Sequence, residues 1–127
     1  MTSKLELIQG RRNRISDFLA SFNIFDSEAS EYFISTPFNS LGGYTKTRAK
    51  GKTVVNCVIE AIGMLLNLET EIDTLNIDSR VTTLNIEDHE GTGILSVSLD
   101  QDSVLIEVVR NVSEGTASEN TLRIIWQ

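Results

Sequence analysis

Cysteine, proline, histidine and tryptophan each occur once in this chain of 127 residues, and their scarcity excludes several structures. A lone Cys57 cannot form an intrachain disulfide, and we expect it to pack in the core as a small apolar side chain. His89 has no second histidine and no nearby cysteine with which to complete a zinc site. At 40% apolar and 23% charged residues, the composition suits one globular domain. The sequence therefore predicts a single domain of residues 1–127 with no metal and no cofactor.

Long hydrophobic runs are also missing. Residues 1–6 lack the apolar stretch of a signal peptide. The longest apolar segment, residues 54–68, is interrupted by Asn56, Glu60 and Asn67 and falls short of the roughly 18 residues of a membrane span. These absences predict a cytoplasmic protein with no membrane contact.

Catalytic motifs are equally scarce. The segment 50–53 reads Lys-Gly-Lys-Thr before a predicted helix, but a complete phosphate-binding loop needs a glycine at position 46, which holds Lys46. His89 lies among carboxylates in a predicted hairpin turn, where a general base would be exposed to water. No nucleophile-elbow motif is present. We therefore expect a binding protein rather than an enzyme.

The first 35 residues are predicted to be helical. Ser3 and Glu6 have the spacing of a capping box, and apolar residues then recur at helical spacing over 4–22. A second short helix is predicted from Asp26 or Ser27 to an apolar end at residues 32–34, before Pro37 stops it.

The middle of the chain combines a basic segment with an apolar one. Residues 36–52 contain glycines and alternating basic side chains, a pattern that fits either an exposed strand or a mobile loop. Residues 53–69 are apolar nearly all round a helix, which predicts a buried central helix between helix 1 and a sheet.

From residue 72 onward the apolar residues alternate with polar ones. Five such runs are separated by segments rich in Asp, Gly, Ser and Asn, as in short strands joined by turns; their apolar positions include Leu75, Leu84, Leu95, Val104 and Leu122. The sequence as a whole predicts a two-layer α+β fold in which N-terminal helices pack on a four- to five-stranded antiparallel meander sheet at 72–127.

Charge is distributed unevenly along the chain. The total is −7, but residues 1–52 hold eight basic and five acidic side chains, whereas residues 53–127 hold three basic and thirteen acidic ones. Such asymmetry bears on partners rather than on fold. An acidic surface suits a basic partner, because complementary charge accelerates association.

Our leading hypothesis is a small acidic interaction protein that binds and modulates or inhibits another macromolecule. An inhibitor of the immunity or anti-defence type belongs to this class, with a basic or nucleic-acid-acting enzyme as its target. The predicted contact residues lie in the acidic turns of the sheet: Glu87, Asp88, Glu90, Asp100 and Asp102.

The alternative is a binder of an anionic small molecule such as a nucleotide. A helix N-terminus attracts anions, and the start of the central helix follows a run of basic residues. The predicted anion site consists of Lys46, Arg48, Lys50, Lys52 and Thr53.

Two further predictions concern assembly. The arginines at 11, 12 and 14 could extend the basic segment into one positive surface that contacts nucleic acid, although solvation of helix 1 explains them as well. An open sheet edge could pair two copies of the chain into a homo-oligomer.

Overall fold

A computed structural model of the chain describes residues 3–22, 32–35, 46–48, 53–75, 82–88, 93–111 and 119–126, with the backbone alone described at 46–48 and 68–75. These segments contain three helices and six strands. In chain order they are α1 (Lys4–Gly10), α2 (Arg12–Ala20), β1 (Tyr32–Ser35), β2 (Lys46–Arg48), α3 (Val54–Leu75), β3 (Thr83–Asp88), β4 (Gly93–Leu99), β5 (Ser103–Asn111) and β6 (Thr121–Ile125).

The strands form one open sheet in the order β2-β1-β3-β4-β5-β6. Every neighbouring pair is antiparallel, and β3 to β6 follow one another as a meander. The sheet has five strands of four or more residues, and the three-residue β2 lies on its edge. The predicted α+β class, with helices packed on an antiparallel sheet, is confirmed.

Helix α3 is the centre of the core. Thr53 begins it as N-cap, since its hydroxyl accepts a hydrogen bond of 3.3 Å from the Asn56 N–H. Its fully buried residues recur at i, i+3 and i+4, namely Cys57, Val58, Ala61, Ile62 and Leu65. It packs against β1, β3 and β4, while α1 and α2 pack against α3 itself. The expected central helix between helix 1 and the sheet is therefore present.

The sheet buries one face and leaves the other partly exposed. In β3 and β4, burial alternates from residue to residue, so that Leu84, Ile86, Leu95 and Val97 face α3. The residues between them, such as Asn85, are only partly buried. Alternation of this kind is the property of a sheet packed on one side.

The first predicted helix is divided in two. The structure ends α1 at Gly10, and Arg11 leaves helical geometry with φ −102° and ψ 14° before α2 begins. Glycine weakens a helix by about 1 kcal/mol relative to alanine, which favours a break at this point. The predicted cap is confirmed at the other end, where the Ser3 hydroxyl accepts a 3.1 Å hydrogen bond from the Glu6 N–H.

The prediction that residues 32–34 end a helix was wrong. They belong to β1, which pairs with β3 so that Ile34 lies opposite Ile86. Aromatic and β-branched residues favour a strand, and Tyr32 and Ile34 are buried while Phe33 lies on the other face. Residues 26–31 of the predicted helix lie outside the described residues.

The boundary between α3 and the sheet also differs from the prediction. Helix α3 continues to Leu75, where the sequence pattern had predicted the first strand of the sheet. No glycine or proline interrupts residues 64–75, so neither of the two strongest helix breakers stops the helix earlier.

The basic segment 36–52 is expected to be either an exposed strand or a mobile loop. Residues 46–48 of it form strand β2.

Candidate protein-binding surface

The predicted acidic contact residues lie at opposite ends of the sheet. Because β3, β4 and β5 are successive antiparallel neighbours, the end of β3 and the turn after β4 are separated by the length of β4. Seven residues of strand span about 20 Å. Glu87 and Asp88 are the last residues of β3, whereas Asp100 and Asp102 belong to the turn after β4. Glu90 lies outside the described residues.

The two acids at the end of β3 face opposite sides of the sheet. Asp88 continues the buried phase of Leu84 and Ile86, is 9% exposed and pairs in register with Tyr32. Glu87 lies on the outer face opposite Phe33 and Ile94. Of these two carboxylates, Glu87 is therefore the one that a partner on the outer face could reach.

The turn after β4 is held in place by hydrogen bonds. The Asp100 N–H donates to the Ser103 carbonyl at 2.8 Å, and the Trp126 N–H donates to the Asp102 carbonyl at 2.9 Å. The Asp100 carboxylate accepts from the Gln101 N–H at 2.8 Å. These contacts fix the position of both aspartates while leaving their side chains exposed.

Arg123 of β6 lies beside this turn. Its Nη1 donates to Asp100 Oδ2 at 3.3 Å and to the buried Ser103 hydroxyl at 2.9 Å. The Gln101 N–H and then Arg123 hold the pKa of Asp100 below its ordinary value. Asp100 is thus ionised and already paired within the chain, whereas Asp102 forms no ion pair among the described residues.

Two more acids border the last two strands. Glu107 lies on the outer face of β5 opposite Thr121, and the exposed Glu119 comes just before β6. No ion pair joins either carboxylate to another described residue. We call Asp102, Glu107 and Glu119 the acidic margin. They are spread along β5 and β6 from one end of the sheet to the other.

The same part of the sheet exposes two large apolar side chains. Ile125 of β6 is 49% exposed and Val109 of β5 is 58% exposed. Val109 is the extra residue of a β-bulge, because Leu95 pairs with Val108 while Ile94 pairs with Arg110. Sequence reasoning missed both residues, although each falls out of phase with the buried alternation of its strand.

The residues of the predicted anion site are only partly described. Lys46 and Arg48 belong to the edge strand β2, while Lys50 and Lys52 lie outside the described residues. The Thr53 hydroxyl is occupied as the N-cap of α3. The anion-binding alternative therefore stays a prediction.

The basic surface of α2 touches the beginning of α3. Arg12 donates through Nη2 to Asn56 Oδ1, three residues after the cap. Arg11 and Arg14 are exposed, as solvation of the helix requires. The contact brings one arginine of the predicted positive surface to the N-terminal turn of α3.

Cys57 is unsuited to reaction. It is fully buried, and desolvation, reinforced by Glu60, raises the pKa of its thiol to about 11.

Clusters of metal ligands and membrane-spanning helices are absent from the described part of the chain. Within it, no three His, Cys, Asp or Glu residues are grouped so as to hold a metal ion, and His89 lies outside it. None of the described helices combines the length and apolar character needed to cross a membrane.

Comparisons of the chain with models of known families, with curated proteins and with solved structures found no match. The functional argument therefore rests on the geometry of the sheet and its charges.

Proposed function

We propose that this protein binds a basic macromolecule through the β5–β6 side of its sheet and modulates or inhibits that partner. The observation that carries the proposal is the acidic margin. Asp102, Glu107 and Glu119 lie along the same two strands as the exposed Val109 and Ile125, and none of the three carboxylates forms an ion pair with a described residue. Charges arranged around an apolar contact are the ordinary composition of a protein interface.

The one-sided packing of the helices supports the same surface. Because α3 packs on the inner face of the sheet, with α1 and α2 behind it, no described helix covers the outer face of β5 and β6. The −10 balance of residues 53–127 adds a long-range attraction for a positive partner. That attraction increases the association rate more than it increases the affinity.

The proposal is tested by capture of a partner from a lysate of the source organism. The immobilised protein should retain a discrete basic protein at low salt and lose it as salt is added, because screening shortens the range of the attraction. The variant Asp102→Asn with Glu119→Gln should retain about tenfold less of it.

A matched control separates local charge from total charge. Glu6→Gln with Asp17→Asn changes the net charge by the same two units on exposed positions of α1 and α2 rather than of the sheet. We expect this control to retain the partner as the unmodified protein does. Equal losses in both variants, or retention that salt does not affect, would contradict the proposal.

A further inference from the structure

Among the described strands, β6 has a neighbour on one side only. β6 ends the strand order, and its pairing with β5 fixes which backbone groups are used. The Val108 N–H donates to Asn120 and the Trp126 N–H donates to Asp102, so the even-numbered residues of β6 direct their backbone groups toward β5. Thr121, Arg123 and Ile125 direct theirs away from the sheet.

These outward groups have no partner in the part of the chain that the structure describes. Neither Thr121, Arg123 nor Ile125 has a backbone hydrogen bond on that side to any described residue. A row of unused N–H and C=O groups is a template for an added strand. No proline interrupts β6, and Ile125 adds an exposed β-branched side chain.

The two edges of the sheet differ in charge. At the opposite edge, the sequence of β2 is Lys46-Thr47-Arg48, and basic residues on an edge strand discourage pairing. The β6 edge is bordered by Asp102 at one end and by Glu107 and Glu119 toward the other, while its one basic residue, Arg123, is paired with Asp100. A second copy paired antiparallel would bring the Asp102 end of one β6 beside the Glu107 and Glu119 end of the other, and so acid against acid, in a protein that already carries −7.

We infer that the β6 edge binds an extended, lysine- or arginine-bearing strand of a partner protein, which joins the sheet as a seventh strand and places its basic side chains against the acidic margin. This inference rests on the proposed function and specifies its mode of contact. Backbone hydrogen bonds to Thr121, Arg123 and Ile125 hold the strand, and the flanking carboxylates select for positive charge.

A soluble nonapeptide of alternating lysine and threonine, with blocked ends, serves as the probe for the full-length protein. Its extended length of about 26 Å is enough to cover residues 119–126, which span about 23 Å. In the protein alone, residue-resolved amide hydrogen exchange should be slow at Leu122 and Ile124 and fast at Thr121, Arg123 and Ile125. The peptide should slow exchange at those three amides, and an otherwise identical glutamate–threonine peptide should not.

Ile125→Pro removes one outward N–H and leaves the ladder with β5 intact, because proline is tolerated on the open side of an edge strand. We expect it to weaken peptide binding at least tenfold, while Ile125→Thr, which keeps the N–H, binds nearly as well as the unmodified protein. Unchanged exchange at Ile124 shows that the proline variant is folded.

The remaining outcomes separate the mode of contact from the proposed function. Peptide binding that protects other amides, or that Ile125→Pro does not weaken, overturns the edge inference; loss of a captured partner on neutralising Asp102 and Glu119 would still uphold the proposed function. No peptide binding at millimolar concentration also overturns the edge inference. Protection of the same three amides by self-association of the protein, seen in sedimentation equilibrium, would replace the partner strand by a second copy.

Discussion

Asp100 and Arg123 connect the turn after β4 to the last strand, with 3.3 Å between the carboxylate Oδ2 and the guanidinium Nη1. Both side chains are about half exposed, at 56% and 50%. The same nitrogen donates to the hydroxyl of the fully buried Ser103. Arg123 thus satisfies a buried group as well as an exposed charge, and these two functions can be separated by substitution.

We expect Arg123→Met to destabilise the protein by about 1 kcal/mol, because it leaves the Ser103 hydroxyl without its donor. Asp100→Asn should have a smaller effect, since exposed ion pairs contribute little. Urea denaturation of the two variants beside the unmodified protein measures the difference. Equal losses would show that the contact with Ser103 is unimportant.

The same pair predicts a pH dependence. A carboxylate whose pKa is lower in the folded state contributes stability above its unfolded pKa, and that contribution disappears as pH falls through the folded value. The pKa of Asp100 is lowered by the Gln101 N–H and Arg123. Below about pH 4, the stability of the unmodified protein should therefore approach that of Asp100→Asn. A constant difference down to low pH would contradict this assignment.

Substitutions in β5 should distinguish its two faces. Ile106 is fully buried in the hydrophobic core, so Ile106→Ala should cost about 2–5 kcal/mol. Val109→Ala, on the exposed bulge of the same strand, should change stability by no more than about 0.5 kcal/mol. Thermal or urea unfolding measures both. A large loss at Val109 would mean that its side chain is covered in solution.

Gly63 offers a site for stabilisation. It lies within α3, and a Cβ placed there would meet Leu5 Cδ1 of α1 at 3.8 Å, an ordinary van der Waals distance. We expect Gly63→Ala to raise stability by roughly 0.5–1 kcal/mol, through helix propensity and lower entropy of the unfolded chain. A destabilised variant would indicate that α1 packs more closely on α3 than this distance allows.

Cys57 should be unreactive in the folded protein. Since burial raises the pKa of its thiol to about 11, the thiolate fraction at pH 8 is about a hundredfold below that of an ordinary cysteine. The folded protein in buffer should therefore react with an aromatic disulfide reagent at least about a hundredfold more slowly than the protein unfolded in urea. Equal rates would contradict burial of this side chain.

The raised pKa of Cys57 also predicts that the stability of the fold decreases at alkaline pH. Between pH 9 and about 11 the unfolded chain loses the thiol proton while the folded chain keeps it, so stability falls as pH rises through this window. In Cys57→Ala, the part of this pH dependence of stability that comes from the thiol should be absent. Denaturation midpoints of the two proteins across the window measure the difference.

Local patterns in the sequence were enough to predict most of the fold. The apolar surface of α3 and the alternation in β3 to β6 are properties of neighbouring residues, and both were predicted correctly. Strand β1 was not, because Tyr32 to Ile34 suit either a helix end or a strand. Their state is decided by pairing with Ile86, more than fifty residues away.

The positions of the acidic residues on the sheet likewise depend on the order of the strands, which the sequence pattern does not specify. Composition indicated that the second half of the chain is acidic, but not that the acids at the end of β3 and those after β4 lie at opposite ends of the sheet. The burial of Asp88 could have been predicted, since it continues the phase of Leu84 and Ile86. The pairing of Asp100 with Arg123 could not, because it depends on how β6 lies beside the turn.

Native mass spectrometry after incubation with the source lysate tests the central claim most directly. If the protein binds a basic macromolecule through the acidic margin, the spectrum should show a complex of discrete protein mass. That complex should persist in Glu6→Gln with Asp17→Asn and disappear in Asp102→Asn with Glu119→Gln. A bound small-molecule mass that both variants retain would contradict the claim and favour the anion site at the start of α3.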